Sequence, residues 1–282
     1  MTLLNARSAL APTPNRCHAV STVPRKAAAE SAAKAISKSA AKLRLLKTLR
    51  CTTKFESQAT AAGATLIAGV DEVGRGSLFG PVVAGAVILD PAYRIRGLRD
   101  SKLLPQERRE QLAERIKRHC LAWAVAAVDV ARIDQMNIYH ASRLAMLEAV
   151  AALRLRPDHL LIDAMKIDFD CEQTAIIHGD ALSASIAAAS IIAKVERDAM
   201  IRAWDPVYPV YGLASNKGYY TRKHASSLRE FGPSPLHRQS FAPVWMNSAT
   251  QELLAFMQED EESAEAGEEQ AEAAVVEIAE GD

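Results

Sequence analysis

The chain has 282 residues, close to half of them apolar, with 34 Lys/Arg against 34 Asp/Glu, which suffices for one large domain or two modest ones around a sizeable core. The zero net charge conceals an asymmetry: residues 1–60 hold eleven basic and two acidic side chains, residues 251–282 hold twelve acidic and none basic, and the middle nets only +3, so any nucleic-acid surface there is a local patch and not an overall field. Cys17, Cys51, Cys120 and Cys171 have no zinc spacing, the longest charge-free strand-like run, Gly76 to Leu89, is too short for a membrane span, and no signal-peptide apolar region opens the chain; the plain expectation is a reduced, cytoplasmic, monomeric protein.

Residues 1–38 carry Pro12, Pro14 and Pro24 and little apolar content, which reads as a disordered basic tail. They are acid-poor and rich in Ala, Ser, Arg and Lys, as transit peptides are, but a solvated tail is the commoner explanation and the one adopted. From Ala40 to Ala61, Leu43, Leu45, Leu46, Leu49 and Phe55 fit an amphipathic helix. Strand signals follow at Leu66–Asp71, Val82–Leu89 and Leu121–Val130, each short, rich in Val, Ile and Ala, and bounded by turn residues. Pro105–His119 reads as a helix with Pro at its first turn, and Tyr139–Leu153 as another. His159–Ile162 and Thr174–Ile177 read as short buried strands, Leu182–Ala203 as a long helix of small side chains, and Thr221–Phe231 as a last short helix. Hairpin-linked strands first and helix-connected strands later imply an α/β fold, a mixed sheet with helices packed on it. The expected folded domain is 39–248, and the Glu/Ala-rich segment 249–282 is a disordered acidic tail.

The most informative stretch is Ile67-Ala68-Gly69-Val70-Asp71-Glu72-Val73-Gly74-Arg75-Gly76. An apolar run ends in two adjacent carboxylates, costly to bury unless a cation or donors satisfy them. The Gly-Arg-Gly turn that follows permits close backbone approach to a phosphate or sugar. Asp163 closes another strand, and Asp180 follows a third and precedes the small-residue helix. Four carboxylates at one sheet edge repel strongly unless paired; two divalent ions about 4 Å apart offset that and supply in-line hydrolysis. Each residue also has a duller explanation: Asp180 as an N-cap, Asp163 as a strand-end turn residue, Glu72 as the solvated partner of an inward Asp71, Tyr219 as an ordinary tyrosine, Lys194 as an i,i+4 partner of Asp198. The joint pattern is what favours chemistry.

In these residues the chain resembles ribonuclease HII, the bacterial type 2 ribonuclease H. Asp71-Glu72-Val73-Gly74-Arg75-Gly76, Asp100-Ser101-Lys102, Leu161-Ile162-Asp163, Gly179-Asp180-Ala181-Leu182-Ser183-Ala184-Ser185-Ile186, Ala193-Lys194-Val195-Glu196-Arg197-Asp198, Lys217-Gly218-Tyr219 and His237-Arg238-Gln239-Ser240-Phe241 match in order. The resemblance spans roughly Leu43 to Trp245. It implies a ribonuclease H-like five-stranded mixed sheet with a small helical C-terminal extension. It also implies Mg²⁺- or Mn²⁺-dependent cleavage of RNA in RNA/DNA hybrids, and incision 5′ of single ribonucleotides in duplex DNA with 3′-hydroxyl and 5′-phosphate ends. By motif position, Asp71, Glu72, Asp163 and Asp180 match the family's metal-binding carboxylates. Gly74, Arg75 and Gly76 match the segment contacting the ribose 2′-hydroxyl, Tyr219 the aromatic stacking on the following deoxyribose, and Lys102, Lys194 and Lys217 lie near the nucleic-acid backbone. The 2′-hydroxyl is the group that distinguishes RNA from DNA at a given site, and lysines make sequence-blind phosphate contacts. Phe79, Ala164 and Asn216 depart from the family's common small residue, glycine and histidine. A type 3 ribonuclease H acting mainly on long hybrids, a non-catalytic hybrid-binding protein on the same fold, and an interaction protein using its tails are the competing expectations; residues 1–60 are too short and too Ala/Lys-rich for the folded N-terminal domain of type 3 enzymes.

Overall fold

The apolar runs become the five strands of one mixed sheet. The computed structural model describes residues 48–247; the expected tails 1–38 and 249–282, Cys17, and Leu43, Leu45 and Leu46 of the expected first helix lie outside the described residues. In chain order the main elements are α1 (Lys54–Ala61), β1 (Ile67–Val73), β2 (Val82–Leu89), α2 (Gln106–His119), β3 (Cys120–Val128), α3 (Val130–Ala151), β4 (His159–Asp163), β5 (Glu172–Ile176), α4 (Gly179–Leu182), α5 (Ala184–Trp204), α6 (Leu213–Asn216), α7 (Arg222–Phe231) and α8 (Ala242–Trp245). The spatial strand order is β3-β2-β1-β4-β5. β1 pairs antiparallel with β2, and β2 with β3, while β1–β4 and β4–β5 are parallel. No helix among the described residues is long and apolar enough to cross a membrane.

The two faces of the sheet are covered differently. Ala68, Val70, Val82, Ala84, Ala86, Ile88, Leu160 and Ile162 bury against Ile133, Ala141, Ala145, Met146, Ala149 and Val150 of α3. On the other face α5 lies almost on the backbone. A Cβ at Gly69 would sit 2.0 Å from the Ser185 carbonyl carbon, and one at Gly85 would sit 2.6 Å from the Ala189 carbonyl oxygen. The small-residue stripe of α5 and these two glycines therefore form one close contact, and a side chain at either glycine would lift the helix off the sheet.

Four expected boundaries are corrected. The helix expected over Ala40–Ala61 does not run through residues 49–53: Thr52 is extended, its N–H donates to the Leu182 carbonyl at 2.9 Å, and its carbonyl accepts from Ala184 N at 2.9 Å. That bridge takes the backbone groups a helix would use, and α1 starts only at Lys54. The strand expected to reach Val130 ends at Val128, because the Asp129 carboxylate caps α3 by accepting from Arg132 N at 2.9 Å. Helix α3 thus begins nine residues before the expected Tyr139 and kinks at Asn137 (φ 67°), whose side chain accepts from Tyr139 N and His140 N like a second N-cap. The long helix starts at Ala184 and not at Leu182, with Ser183 as its cap. Glu56 of α1 completes that cap, accepting from Ser183 Oγ at 2.7 Å and Ser185 N at 2.8 Å.

The helical C-terminal extension forms as expected. Phe79, Ile201, Tyr211, Leu213, Leu228 and Val244 make its own small core, and Thr221 caps α7 through its hydroxyl.

Candidate active site

Parallel neighbours end at the same edge, and the register pairs Val70 of β1 with Ile162 of β4. The next residues, Asp71 and Asp163, therefore fall side by side. Asp180 reaches the same place from α4, the single turn after β5. Asp71 and Asp180 are 5% and 3% exposed, and the Glu72 side chain is 9% exposed, so the solvated reading of Glu72 is overturned. The capping reading of Asp180 also fails: Ser183 caps the long helix, and Asp180 Oδ2 faces Lys102 Nζ at 3.4 Å.

A fifth carboxylate, Asp100, belongs to the cluster. It is 1% exposed, and its Oδ1 accepts from Lys102 N at 2.8 Å. The motif Asp100-Ser101-Lys102 is visible in the sequence, but only its lysine carries an expected role there. Its other oxygen, Oδ2, is buried with no partner, as is Glu72 Oε2. The neighbour of Asp100 is Asp180, which raises its pKa; two acceptors can bond only through a shared proton.

The electrostatics follow from burial first. Desolvation pushes Asp71 well above the usual carboxylate range, Asp163, Glu72 and Asp180 add repulsion, and the Ser190 hydroxyl opposes the rise. Burial likewise raises Asp163 to about 6, although Gly179 N donates to its Oδ1 at 2.8 Å. Glu72 is raised by burial against the pull of Arg75, whose Nη1 lies 3.4 Å from Glu72 Oε1. Lys102 is held protonated despite its own desolvation by Asp180, Asp71, Asp100 and Asp163. One ammonium thus stands among five carboxylates.

This donor set suits a hard divalent cation: oxygen ligands only, buried, in excess of positive charge, with two oxygens unsatisfied. No three His, Cys, Asp or Glu side chains among the described residues are already gathered into a closed ligand set. The carboxylates repel one another, and Lys102 supplies part of the opposing charge.

The residues expected on the substrate side adjoin one another. Gly74 has φ 93°, and a Cβ there would meet Arg197 Nε at 2.2 Å. The turn Gly74–Gly76 therefore needs glycine at its start for both conformation and space. Ser77 forms an isolated bridge with Tyr219, and Leu78 N donates to the Gly218 carbonyl at 2.9 Å. The Gly-Arg-Gly turn and the Lys217–Tyr219 turn are thus neighbours. The Tyr219 ring is flanked by Lys194 Nζ at 5.2 Å and the Arg197 guanidinium at 5.3 Å from its centroid. Lys194 also makes the i,i+4 pair with Asp198, at 2.8 Å. Lys217 has φ 53°, and its ammonium bonds the Ala214 carbonyl.

The three departures have structural accounts. Phe79 is fully buried, packing edge-on against His237 and Tyr208 in the extension, away from the carboxylates. Ala164 has φ 54°, a left-handed conformation that glycine adopts more cheaply. Asn216 takes over a capping task, donating from Nδ2 to the Tyr211 carbonyl at 2.7 Å and accepting from Gly218 N at 2.7 Å.

Comparison with known proteins agrees with this geometry. Residues 68–244 match the family model described as Ribonuclease HII. Ribonuclease HII of Koribacter versatilis (strain Ellin345) is 73% identical over 80% of this chain and 89% of its own length. That of Solibacter usitatus (strain Ellin6076) is 54% identical over 71% of this chain and 87% of its own. Among solved structures, the ribonuclease H2 from Pyrococcus horikoshii OT3 superposes with a TM-score of 0.56 at 26% identity, covering 65% of this chain and 97% of that one.

Proposed function

The chain belongs to the ribonuclease HII family and is a ribonuclease H, an endonuclease acting on RNA/DNA hybrids; from that premise we propose that its hydrolysis depends on Mg²⁺ or Mn²⁺ and that it also incises duplex DNA 5′ of a single embedded ribonucleotide. The products are a 3′-hydroxyl and a 5′-phosphate. Residues 39–248 carry the activity, and the charged tails are dispensable for it.

The observation supporting the metal dependence is the buried carboxylate cluster with unsatisfied oxygens on Glu72 and Asp100. Asp71, Glu72, Asp163 and Asp180 would hold the cations, which when bound lower the pKa of water and stabilise a leaving oxygen. Gly179 N, bonded to Asp163 Oδ1, fixes that carboxylate's rotamer. Asp100 orients Lys102 by capping its backbone, and Lys102 places a positive charge on the Asp180 side of the site.

The backbone of the Gly74–Gly76 turn reads the 2′-hydroxyl, the group absent from DNA, without side-chain freedom to order. Arg75, held near Glu72, brings a guanidinium to the adjacent phosphate. Tyr219 presents a flat face to the next deoxyribose, where a 2′-hydroxyl would crowd it. Lys194 contacts the phosphate backbone, and Lys217, whose ammonium is bound within its own turn, contributes chiefly by orienting Gly218 and Tyr219.

A labelled duplex carrying one ribonucleotide tests the reading. Cleavage is expected immediately 5′ of the ribonucleotide in Mg²⁺ or Mn²⁺ and none in chelator. Cutting in chelator would refute the metal assignment, and cutting elsewhere would refute the substrate assignment.

A further inference from the structure

Behind the Gly-Arg-Gly turn the C-terminal extension places two consecutive fully buried side chains, His237 and Arg238. Arg238 Nη1 donates to the Arg75 carbonyl at 2.8 Å, and its Nε donates to the Gly80 carbonyl at 3.0 Å. Its backbone N–H donates to the Leu78 carbonyl at 2.9 Å. The middle residue of the turn is therefore held by a side chain more than 160 residues away.

His237 acts in the other direction. Ser234 N donates to His237 Nδ1 at 2.9 Å, with Ser234 Oγ at the same distance. A backbone N–H can only donate, so Nδ1 carries no proton and the neutral ring is protonated on Nε2. That N–H faces His224 Nε2 at 3.0 Å, which therefore accepts. The His224 proton is then on Nδ1, 2.9 Å from the Tyr219 carbonyl. One neutral tautomer of each ring satisfies the whole relay, and a second proton on either ring would set two N–H groups against each other. Burial accordingly pushes both imidazoles down, His237 to about 4.

We propose that the His237–Arg238 pair, with His224, is a positioning element that fixes the Gly74–Gly76 turn relative to Tyr219 and thereby sets the preference for a lone ribonucleotide over a continuous hybrid. The proposal rests on the roles given above to the turn and to Tyr219. A continuous hybrid offers a 2′-hydroxyl at every nucleotide and tolerates a loosened turn. A lone ribonucleotide offers one, followed at once by a deoxyribose, so both contacts have to form at one fixed separation. Arg197 ties the same turns from α5, donating to Ser77 Oγ, the Phe79 and Pro81 carbonyls and the Lys217 carbonyl. The extension supplies the hold on Arg75 and on the Tyr219 carbonyl that α5 does not.

The test compares kcat/KM on a duplex bearing one ribonucleotide with that on a continuous RNA/DNA hybrid. His224→Phe keeps a ring and removes the donor. It should lose roughly tenfold to a hundredfold on the first substrate and less than about threefold on the second, with the difference in kcat. His224→Asn, which returns a donor near the Nδ1 position, should recover most of the loss. Should the Phe variant not melt cooperatively, Arg238→Lys, which keeps the charge but reaches only one of the two carbonyls, should move the same ratio in the same direction. Equal losses on both substrates, no loss on either, or no recovery in His224→Asn would overturn the proposal. A wild-type chain that leaves the lone ribonucleotide uncut would overturn the substrate reading beneath it; the variants alone failing would leave that reading standing.

Discussion

At the sheet edge, five buried or nearly buried carboxylates share one ammonium, and two of their oxygens have no partner. Behind the Gly-Arg-Gly turn, two guanidiniums and two imidazoles are buried just as deeply, and all but one of their polar atoms are matched: Arg197 meets three carbonyls and a hydroxyl, Arg238 two carbonyls, and the histidines each other, with Arg238 Nη2 alone left over. Both regions place charge out of water, which costs stability unless donors and acceptors compensate. The basic region leaves one nitrogen over and spends every other donor on a carbonyl, a hydroxyl or a ring nitrogen. The acidic region is incomplete, and its missing component is positive charge. A scaffold and a binding site can thus be told apart by satisfaction alone, before any chemistry is assigned.

Asp71→Asn is the harshest way to break that contrast. Cleavage should fall by on the order of 10³-fold or more, since the proposed divalent site loses a buried ligand. In chelator the variant should melt higher than the wild type by roughly 2–8 °C, because an amide removes a desolvated, repelled carboxylate. Scanning calorimetry decides it: an unchanged or lower melting temperature would mean that the acidic cluster is already satisfied without cations.

Tyr219→Ala sharpens the comparison from the other wall. Losing the flat face should cost about tenfold at a lone ribonucleotide, in the range of stacking losses at single-stranded nucleic acid, with a smaller loss on long hybrids. Steady-state kinetics on the two substrates measure the split; equal losses would remove Tyr219 from substrate discrimination. The ring stands between Lys194 and Arg197, so its removal leaves the backbone hold on residue 219 intact.

The two regions also differ in how far they can be read from residues alone. The acidic edge was legible because strand ends are local: a short apolar run followed by Asp is a visible pattern, and parallel pairing brings Asp71 and Asp163 together. Strands β1, β2, β4 and β5 lie within two residues of expectation for the same reason. What escaped was set by contacts distant in sequence. Thr52 is pulled out of a helix by residues 182–184, and Asp100 is a cluster member only because Asp180 packs against it. Asp129 is the exception, a local N-cap signal that was present and was absorbed into a strand. The basic region was legible only as matching segments around Arg197 and His237-Arg238: no periodicity marks His224 and His237 as a bonded pair, and an arginine on a helix face, such as Arg197, ordinarily reads as solvated. Phe79 stood out as a departure, but its partners belong to the extension and not to the groove.

The smallest expected effect opposes the two regions in one titration. Carboxylates raised by folding, Asp163 to about 6 and Asp71, Glu72 and Asp100 in the same direction, bind protons more tightly in the folded state. Their contribution is present at about pH 4 and is lost as the pH rises through their folded values. The imidazoles run the other way: His237, lowered from 6.5 to about 4, resists protonation when folded, so stability falls as the pH falls through that interval. Four carboxylates outweigh two histidines, and in chelator the melting temperature should decline from pH 5 to pH 7. Mg²⁺ occupies the ionised carboxylates and should cancel the acidic contribution, leaving the histidine slope of opposite sign. The gap between the two melting curves should therefore widen with pH, to roughly 3–8 °C at neutrality. A constant gap would show that proton release and cation binding do not compete for the same carboxylates, and the unsatisfied oxygens at the sheet edge would need another explanation.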